Sequence, residues 1–389
     1  MNTPWQILVV LLFTLACLFL LGAFLRSDLM AGEGAVPRVK RPAELPLRFR
    51  YDGTFKILQV ADLHYGMGRM TSCRDVLPSQ FPGCSDLNST RFLRRMIDAE
   101  KPDLLVFSGD NIFGSSTTDA AESLFGAFAP AIEYKLPWAA ILGNHDQEST
   151  MTRAELMCFI SLMDYSVSHV NPQDLPVEQA RIDGFGNYNL VVHGAAGSEL
   201  ANTSVLNLYL LDSGDRESAN GRRTYGWIKE SQLQWLHKLS KGLQASSPVP
   251  APALTFFHIP IPEVRDLWFR KFVGVYQEAV ACSSVNSGVL KTLVSMGDVK
   301  AAFIGHDHLN DFCGDISGIQ FCYGGGFGYH GYGKAGWSRR ARVIFSELRK
   351  CGSSWLGVER VRTWKRLDDE ELTKIDEQVL WEQQHQPWR

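Results

Sequence analysis

Five short apolar segments of the chain each end directly in metal-binding side chains. The segments cover residues 55–61, 102–107, 138–142, 254–257 and 299–304. Apolar runs of this length with β-branched members are typical of strands buried in a sheet. Helical patterns at 91–101 and 120–134 separate the first strands, which predicts βαβ units. Because functional groups gather outside the carboxyl ends of such strands, the five segments predict a single site.

The polar groups that follow the strands contain side chains that transition metals bind in proteins. They are Asp62-Leu63-His64, Gly109-Asp110, Gly143-Asn144-His145-Asp146, His258 and Gly305-His306-Asp307-His308. One such group alone would carry little weight, because a capping Asp beside a hydrogen-bonded His is a more common explanation. Five groups in order, each after a buried strand, are difficult to obtain as independent accidents.

The spacing within two of these groups suits a metal cluster. Asp62 and His64, like His306 and His308, are separated by one residue, and alternate residues of an extended chain share a face. Two ions about 3.5–4 Å apart would lower the pKa of a shared water and neutralise phosphoryl oxygens during hydrolysis of a phosphate ester. Seven side chains suffice as ligands: Asp62, His64, Asp110, Asn144, His258, His306 and His308.

The five groups resemble the motif series of the calcineurin-like metallophosphoesterases, which is D-x-H, G-D, G-N-H-[DE], H and G-H-x-H. The resemblance covers roughly residues 55–347. It implies an α/β fold, namely a four-layer α/β/β/α sandwich of two mixed sheets flanked by helices. It also implies a dinuclear metal centre with a bridging hydroxide as the nucleophile.

The resemblance assigns a role to each site residue. The ligands fall into two sets with one bridging carboxylate: Asp62, His64 and His308 for the first ion, Asn144, His258 and His306 for the second, and Asp110 between them. His145 would be the general acid that protonates the leaving oxygen, with Asp146 orienting it. Imidazole suits this role, since its unperturbed pKa of about 6.5 lets it hold and release a proton.

A closer resemblance is to plant purple acid phosphatase-like proteins, several of which are named probably inactive. It lies in residues 109–114, 256–263 and 324–333. Purple enzymes have G-D-x-x-Y, whose tyrosinate binds ferric iron, but here Phe113 takes the tyrosine position. They also have D-x-G where this chain has His64. A tyrosine ligand is thus exchanged for a histidine, which predicts a colourless centre of two ions, with Fe, Zn or Mn expected.

The leading function hypothesis is hydrolysis of phosphate monoesters, with a phosphorylated small molecule or a phosphoprotein as substrate. A catalytically silent binding protein of the same fold, or a phosphodiesterase, is the alternative. His330 in the glycine-rich run 323–333 and Arg216 are candidate substrate contacts. The other interpretation is a surface loop and a solvated arginine. A net charge of −3 and a pI near 6.4 argue against a nucleic-acid partner.

The ends of the chain differ from its middle. Residues 1–30 are predicted to be a signal peptide or signal anchor, since 5–25 has no charged side chain and is long enough to span a bilayer. Residues 31–50 are predicted to be a linker, 51–350 the metallophosphoesterase domain and 351–389 a polar helical tail. Basic residues after the apolar segment would favour a cytosolic location of the domain.

Sequons and cysteines favour the secretory pathway instead. The protein would then be secreted, extracellular or vacuolar, or it would be anchored to the membrane through residues 5–25. Asn88 and Asn202 are glycosylation acceptors by sequence. Two pairs of cysteines bracket short loops with proline or glycine and are disulfide candidates: Cys73, Cys84, Cys313 and Cys322. The alternative for these cysteines is ordinary buried thiols.

Overall fold

The computed structural model describes residues 40–172, 182–249 and 251–384. Five α-helices lie in these ranges: α1 (Asp86–Glu100), α2 (Ala120–Glu133), α3 (Arg153–Leu162), α4 (Glu230–Ser246) and α5 (Val289–Met296). The strands there are β1 (Thr54–Val60), β2 (Leu104–Ser108), β3 (Trp138–Ile141), β4 (Tyr188–His193), β5 (Ser204–Leu210), β6 (Arg216–Ala219), β7 (Arg222–Tyr225), β8 (Ala253–Phe256), β9 (Phe272–Val273), β10 (Val299–Ile304), β11 (Cys313–Ile316), β12 (Ile319–Tyr323), β13 (Arg340–Cys351), β14 (Ser354–Leu367) and β15 (Lys374–Glu382).

The strands form two large mixed sheets and one hairpin. The first sheet has the order β15-β14-β13-β1-β2-β3, and the second has the order β4-β5-β8-β10-β12-β11-β9. Strands β1, β2 and β3 run parallel in the first sheet, as do β5, β8, β10 and β12 in the second. Strands β6 and β7 pair only with each other among the described residues. The predicted mixed α/β fold is confirmed.

Successive side chains along a strand of the second sheet point to opposite faces and pack into two different hydrophobic clusters. On β10, Ala301 and Phe303 join the larger cluster, which also contains the buried residues of β1, β2, α1 and α2. Ala302 and Ile304 join the smaller cluster, which includes side chains from α4 and α5. Burial on both faces explains why these strands are continuous apolar runs in the sequence.

The prediction of a polar helical tail for residues 351–389 is wrong where the structure describes it. Strands β14 and β15 extend the first sheet beyond β13, and residues 385–389 lie outside the described part. Val361 and Thr363 are fully buried while Arg360 and Arg362 are not, so β14 has the period of a strand. At the edge of the sheet, β15 exposes charged side chains, which made it look like a solvated helix.

The amino-terminal boundary also differs from the predicted linker at 31–50. The compact unit begins at Pro42, and Leu47 and Phe49 are buried in its core. Phe49 N donates to His193 O and His193 N donates to Leu47 O, at 2.9 and 2.8 Å. Within the described ranges no helix is long and apolar enough to cross a bilayer. The predicted signal segment at 1–30 lies outside those ranges.

Candidate metal centre

The predicted metal ligands meet at the carboxyl edge of the parallel strands. Four of them lie in the left-handed region of backbone space, with φ of 56° for Asp62, 47° for His64, 49° for Asp110 and 79° for His306. L-residues adopt this region rarely, at a cost on the order of 1–3 kcal/mol each. The left-handed turns redirect the chain at the strand ends, and the surrounding packing must hold them there.

Two clusters of ligand atoms result, and the atoms of each lie within 4.8 Å of one another. The first consists of Asp62, His64 and His308, and the second of Asp110, His258 and His306. All of these side chains are buried. The grouping is the one that the motif resemblance implies for two ions, although Asn144 is not in either set of three.

Asp110 lies between the two clusters. Its Oδ1 accepts a hydrogen bond from His145 N at 2.8 Å, which fixes the carboxylate. Its Oδ2 lies 3.2 Å from His258 Nε2 and 3.5 Å from His64 Nε2. One carboxylate oxygen therefore faces an imidazole of each cluster, as a bridging ligand requires.

Backbone carbonyls set which ring nitrogen of two histidines faces the clusters. His308 Nδ1 lies 2.7 Å from Tyr332 O, and His258 Nδ1 lies 3.0 Å from Ser108 O. A carbonyl only accepts, so each Nδ1 carries the proton and each Nε2 can present a lone pair to the centre. The ring of Tyr332 also stacks on His308, with 3.8 Å between centroids.

Several buried polar atoms at the centre have no hydrogen-bond partner. They include Asp62 Oδ2, His64 Nδ1, Asn144 Oδ1 and His306 Nε2. Leaving such an atom unpaired costs about 1–3 kcal/mol, so several at one place indicate that these atoms bind a further group. Carboxylate, amide and imidazole donors suit first-row transition metals. The residues therefore fit two metal ions, and the orphaned Oδ1 makes Asn144 a candidate ligand beside the two clusters.

Burial and neighbouring carboxylates shift the pKa values of two residues at the site. Burial raises the pKa of Asp62 to about 7. Although burial opposes protonation of His258, the charges of Asp110 and Asp62 raise its pKa to about 9. Both shifts follow from placing ionisable groups side by side in a buried site.

Two glycines of the motifs are required by close approach. A Cβ on Gly109 would lie 2.5 Å from His258 Nδ1, and one on Gly143 would lie 2.2 Å from Asp110 Oδ1. Gly109 also has a φ of 95°, a region that L side chains rarely adopt. The glycine of the G-D motif thus lets the His258 ring reach the centre.

Gly109→Ala should lower the metal content of the purified protein, because the new methyl group displaces the His258 ring. The control is Gly318→Ala, since Gly318 has a similar φ of 84° but nothing within 4 Å of an added Cβ. That control should lose about 1 kcal/mol of folding free energy to backbone strain and keep its metal. Elemental analysis checks both variants, and equal metal content in the two would contradict the role of Gly109.

His145 lies beside the clusters and contacts Glu148, which the sequence analysis missed. Its Nδ1 is 2.8 Å from Glu148 Oε2, and its ring centroid is 5.3 Å from that of His64. Asp146 instead accepts from the amides of Asn111 and Ile112 at 2.9 and 3.0 Å. The prediction that Asp146 orients His145 is therefore wrong. Asp146 holds the turn, and Glu148 contacts the ring.

Arg216 lies against the loop 144–148, and its role as a substrate contact stays a prediction. It donates to Asn144 O and to Glu148 Oε1, each at 2.8 Å, and its Nη2 lies 3.4 Å from His145 Nε2. Tyr225, the partner of Arg216 in the β6–β7 hairpin, packs edge-on against His306 at 4.4 Å. Tyr225 was missed because only the hairpin brings it here.

A cavity of about 270 Å³ opens over the two clusters. Its lining includes ligands of both clusters, His145 and Phe113. His330 does not line this cavity. Its ring nitrogens instead lie 2.8 Å from Ser72 O and 3.0 Å from Ser116 Oγ. The geometry gives no support to the predicted substrate contact of His330.

The glycine-rich run 323–333 packs behind the ligands. Gly326 N donates to His308 O and Gly328 N donates to Asp62 O, each at 3.0 Å. A Cβ on Gly331 would lie 2.8 Å from the His308 ring and 3.0 Å from the His64 ring. Close packing against the metal-binding loops accounts for these glycines.

Both candidate cysteine pairs are bonded in the structure, as Cys73–Cys84 and Cys313–Cys322. Cys158, Cys282 and Cys351 are free.

The two predicted glycosylation sites differ in their surroundings. Asn88 lies in the first turn of α1, where its side chain takes part in the capping box with Ser85, whereas Asn202 is exposed before β5. Glycosylation stays a prediction.

Comparison with known proteins identifies the family. The model of the calcineurin-like phosphoesterase family matches residues 55–310. The chain belongs to this family. The chain is 65% identical over 350 residues to "Probable inactive purple acid phosphatase 28" of Arabidopsis thaliana, and the match covers 89% of this chain and 88% of the relative. This confirms the resemblance to the purple acid phosphatase-like group.

Two further matches extend the comparison of the phosphoesterase. "Phosphatase DCR2" of Saccharomyces cerevisiae is 34% identical over 338 residues, covering 82% of this chain and 54% of the yeast protein. A crystal structure of a dimetal phosphatase from Danio rerio superposes with a TM-score of 0.52 at 16% identity, covering 85% of this chain and 99% of that one. The second match supports the fold alone.

Proposed function

We propose that this phosphoesterase hydrolyses phosphate monoesters of small molecules or phosphoproteins at a centre of two metal ions. The observation that carries the proposal is that two ligand clusters share Asp110 and open into one cavity beside His145. Bound there, the ions would supply a hydroxide nucleophile near neutral pH and neutralise charge on the phosphoryl oxygens. Fe, Zn and Mn suit the donor set.

His145 is proposed to protonate the leaving oxygen. Its ring borders the cavity, and Glu148 at Nδ1 fixes the ring and offsets the charge of the protonated form. Arg216 ties this pair together through Glu148 and presents its remaining donors to the phosphate. The chain thus provides a proton donor and a cation on the side of the cavity formed by 144–148 and the β6–β7 hairpin.

His145→Ala should lower kcat for p-nitrophenyl phosphate by about 10²–10⁴-fold, the usual contribution of a general acid. Glu148→Gln should lower it less, by about tenfold, because the ring keeps a hydrogen-bond partner but loses the charge. His237→Ala, at an exposed position of α4, is the control. Metal content should be unchanged in all three variants. Activity of His145→Ala equal to wild type would contradict the proposal.

A second candidate is a catalytically silent binding protein of the same fold. The 65% identical relative is named a probable inactive phosphatase, which favours this candidate, as does Phe113 at the tyrosine position of purple enzymes. Phe113 packs against His64 at 5.2 Å and against His145 at 4.8 Å, so its ring takes up space at the centre. Metal-loaded protein that binds phosphate esters saturably but turns over none of a broad panel would favour this candidate.

A phosphodiesterase would use the same ions, so relative rates separate it from a monoesterase. Turnover of bis-p-nitrophenyl phosphate faster than that of p-nitrophenyl phosphate would replace the monoester proposal.

The two disulfides support a location in the secretory pathway. The protein would be secreted, extracellular or vacuolar, or it would be anchored to the membrane through residues 5–25. Amino-terminal sequencing of the protein from its host distinguishes a cleaved signal from an anchor.

A further inference from the structure

A second, larger cavity adjoins the metal centre. It has a volume of about 840 Å³ and is formed by the β6–β7 hairpin and two loops that carry Arg265 and Cys282. Tyr225 lines both this cavity and the one over the metal ligands. Tyr225 thus lies between the two cavities, and we call the larger one the arginine groove.

The hairpin turns two arginines toward the same side. Arg216 pairs with Tyr225 and Ser218 pairs with Arg223 across β6 and β7. Residues directly opposite share a face of a hairpin, and so do residues two apart. Arg223 therefore shares the face of Arg216 and Tyr225, which contact the metal centre. Arg222 pairs with Ala219 and belongs to the opposite face.

The arginine groove is cationic. Its lining contains three guanidinium groups and one carboxylate, that of Glu217, which Lys229 neutralises at 3.0 Å. Within the described part of the chain, neither Arg223 nor Arg265 forms an ion pair. Both side chains are exposed. Two unpaired guanidinium groups in one concave surface favour an anionic ligand.

The groove is built on anchored elements. Ser284 N donates to Thr224 Oγ1 at 2.8 Å, which joins the hairpin to the loop that carries Cys282. Arg265 Nε donates to Val280 O at 3.4 Å, so the same loop orients the second arginine. The hairpin that carries Arg223 and the guanidinium group of Arg265 are thus both anchored to the same loop.

We infer that Arg223 and Arg265 form a subsite for a second phosphate group, so that the preferred substrate is a small phosphate monoester that carries another phosphate. The inference rests on the proposed function for the first phosphate. Guanidinium forks match phosphate oxygens in pairs, and the groove has room for the carbon skeleton between the two phosphates. The metal centre would cleave one ester while the arginine groove holds the other phosphate.

The test compares fructose 1,6-bisphosphate with fructose 6-phosphate on the full chain loaded with Mn²⁺. Arg223→Ala/Arg265→Ala should lower kcat/KM for the bisphosphate by about tenfold or more, since each charge-assisted pair is strong, and change the monophosphate less than about twofold. Arg222→Ala is the matched control and should change neither. An equal effect on both substrates, or none on the bisphosphate, would overturn the inference.

Calorimetric titration separates this inference from the proposed function. If the wild-type protein turns over neither p-nitrophenyl phosphate nor either sugar phosphate, the proposed function fails, but the subsite still predicts tighter binding of the bisphosphate by about tenfold. That preference should disappear in the double variant and persist in Arg222→Ala. Equal affinity of the wild-type protein for the two ligands would overturn the subsite even where turnover is observed.

Discussion

Asp110→Asn should reduce turnover of p-nitrophenyl phosphate by about 10³-fold or more, because several kcal/mol of charge stabilisation depend on both ions. The Asp110 oxygen that faces the centre lies 3.2 Å from His258 Nε2 and 3.5 Å from His64 Nε2. An amide cannot supply the anion that holds two cations close together. Its oxygen can still accept from His145 N, so the loop and the fold should be retained.

The control for this variant is Asp315→Asn, a change at an exposed position of β11. It should leave both turnover and metal content unchanged. Circular dichroism and urea unfolding show whether Asp110→Asn is folded. A folded Asp110→Asn protein with turnover near that of the wild type would contradict the role of Asp110 as a bridging carboxylate.

Asp311→Ala should destabilise the fold by about 3–5 kcal/mol, the cost of breaking a buried ion pair. Asp311 is fully buried, as is Lys365, whose Nζ lies 2.7 Å from Asp311 Oδ1. Arg340 pairs with the other carboxylate oxygen. The substitution would leave two cations in the interior without that anion. Urea unfolding measures the loss.

The pKa shifts around Asp311 show that the two buried cations beside it depend on its carboxylate. Burial lowers the pKa of Lys365 despite its carboxylate neighbours. Burial acts to raise the pKa of Asp311, but the charges of Lys365 and Arg340 lower it. The cations depend on Asp311 to remain charged at low cost.

Asp376→Asn is the matched control, because Asp376 Oδ2 also lies 2.6 Å from Lys365 Nζ but its side chain is 29% exposed. Water can replace part of that interaction, so the loss should be below about 1 kcal/mol. Equal losses of folding free energy for the two variants would contradict the dependence on burial.

Because Asp311 follows His308 by three residues, Asp311→Ala should also lower metal affinity.

The positions of the metal ligands could be predicted from sequence because each follows an apolar strand directly. The strands that carry Asp62, Asp110, His258 and His306 are buried on both faces, so their apolar runs are continuous. Parallel pairing brings the strand ends together within each sheet, and the packing of the two sheets brings the two sets of ends together. The fold class followed from the same pattern.

Residues whose position depends on turn geometry could not be predicted in this way. Asp146 is adjacent to His145 in sequence, yet its carboxylate turns to backbone amides, while Glu148 three residues on reaches the ring. Tyr225 reaches His306 through the β6–β7 hairpin, whose strands pair only with each other within the described ranges. The strand β15 was missed because an edge strand can carry charges on its exposed side.

Elemental analysis of the purified protein tests the central claim of a two-metal centre most directly. The wild-type chain should hold close to two transition-metal ions, as a shared carboxylate between two ligand sets requires. A double change of His258 and Asn144 to Ala should lower the content to about one, because it removes ligands of the second ion only. A wild-type chain that binds one ion or none after reconstitution, or a double variant that keeps both, would contradict the account.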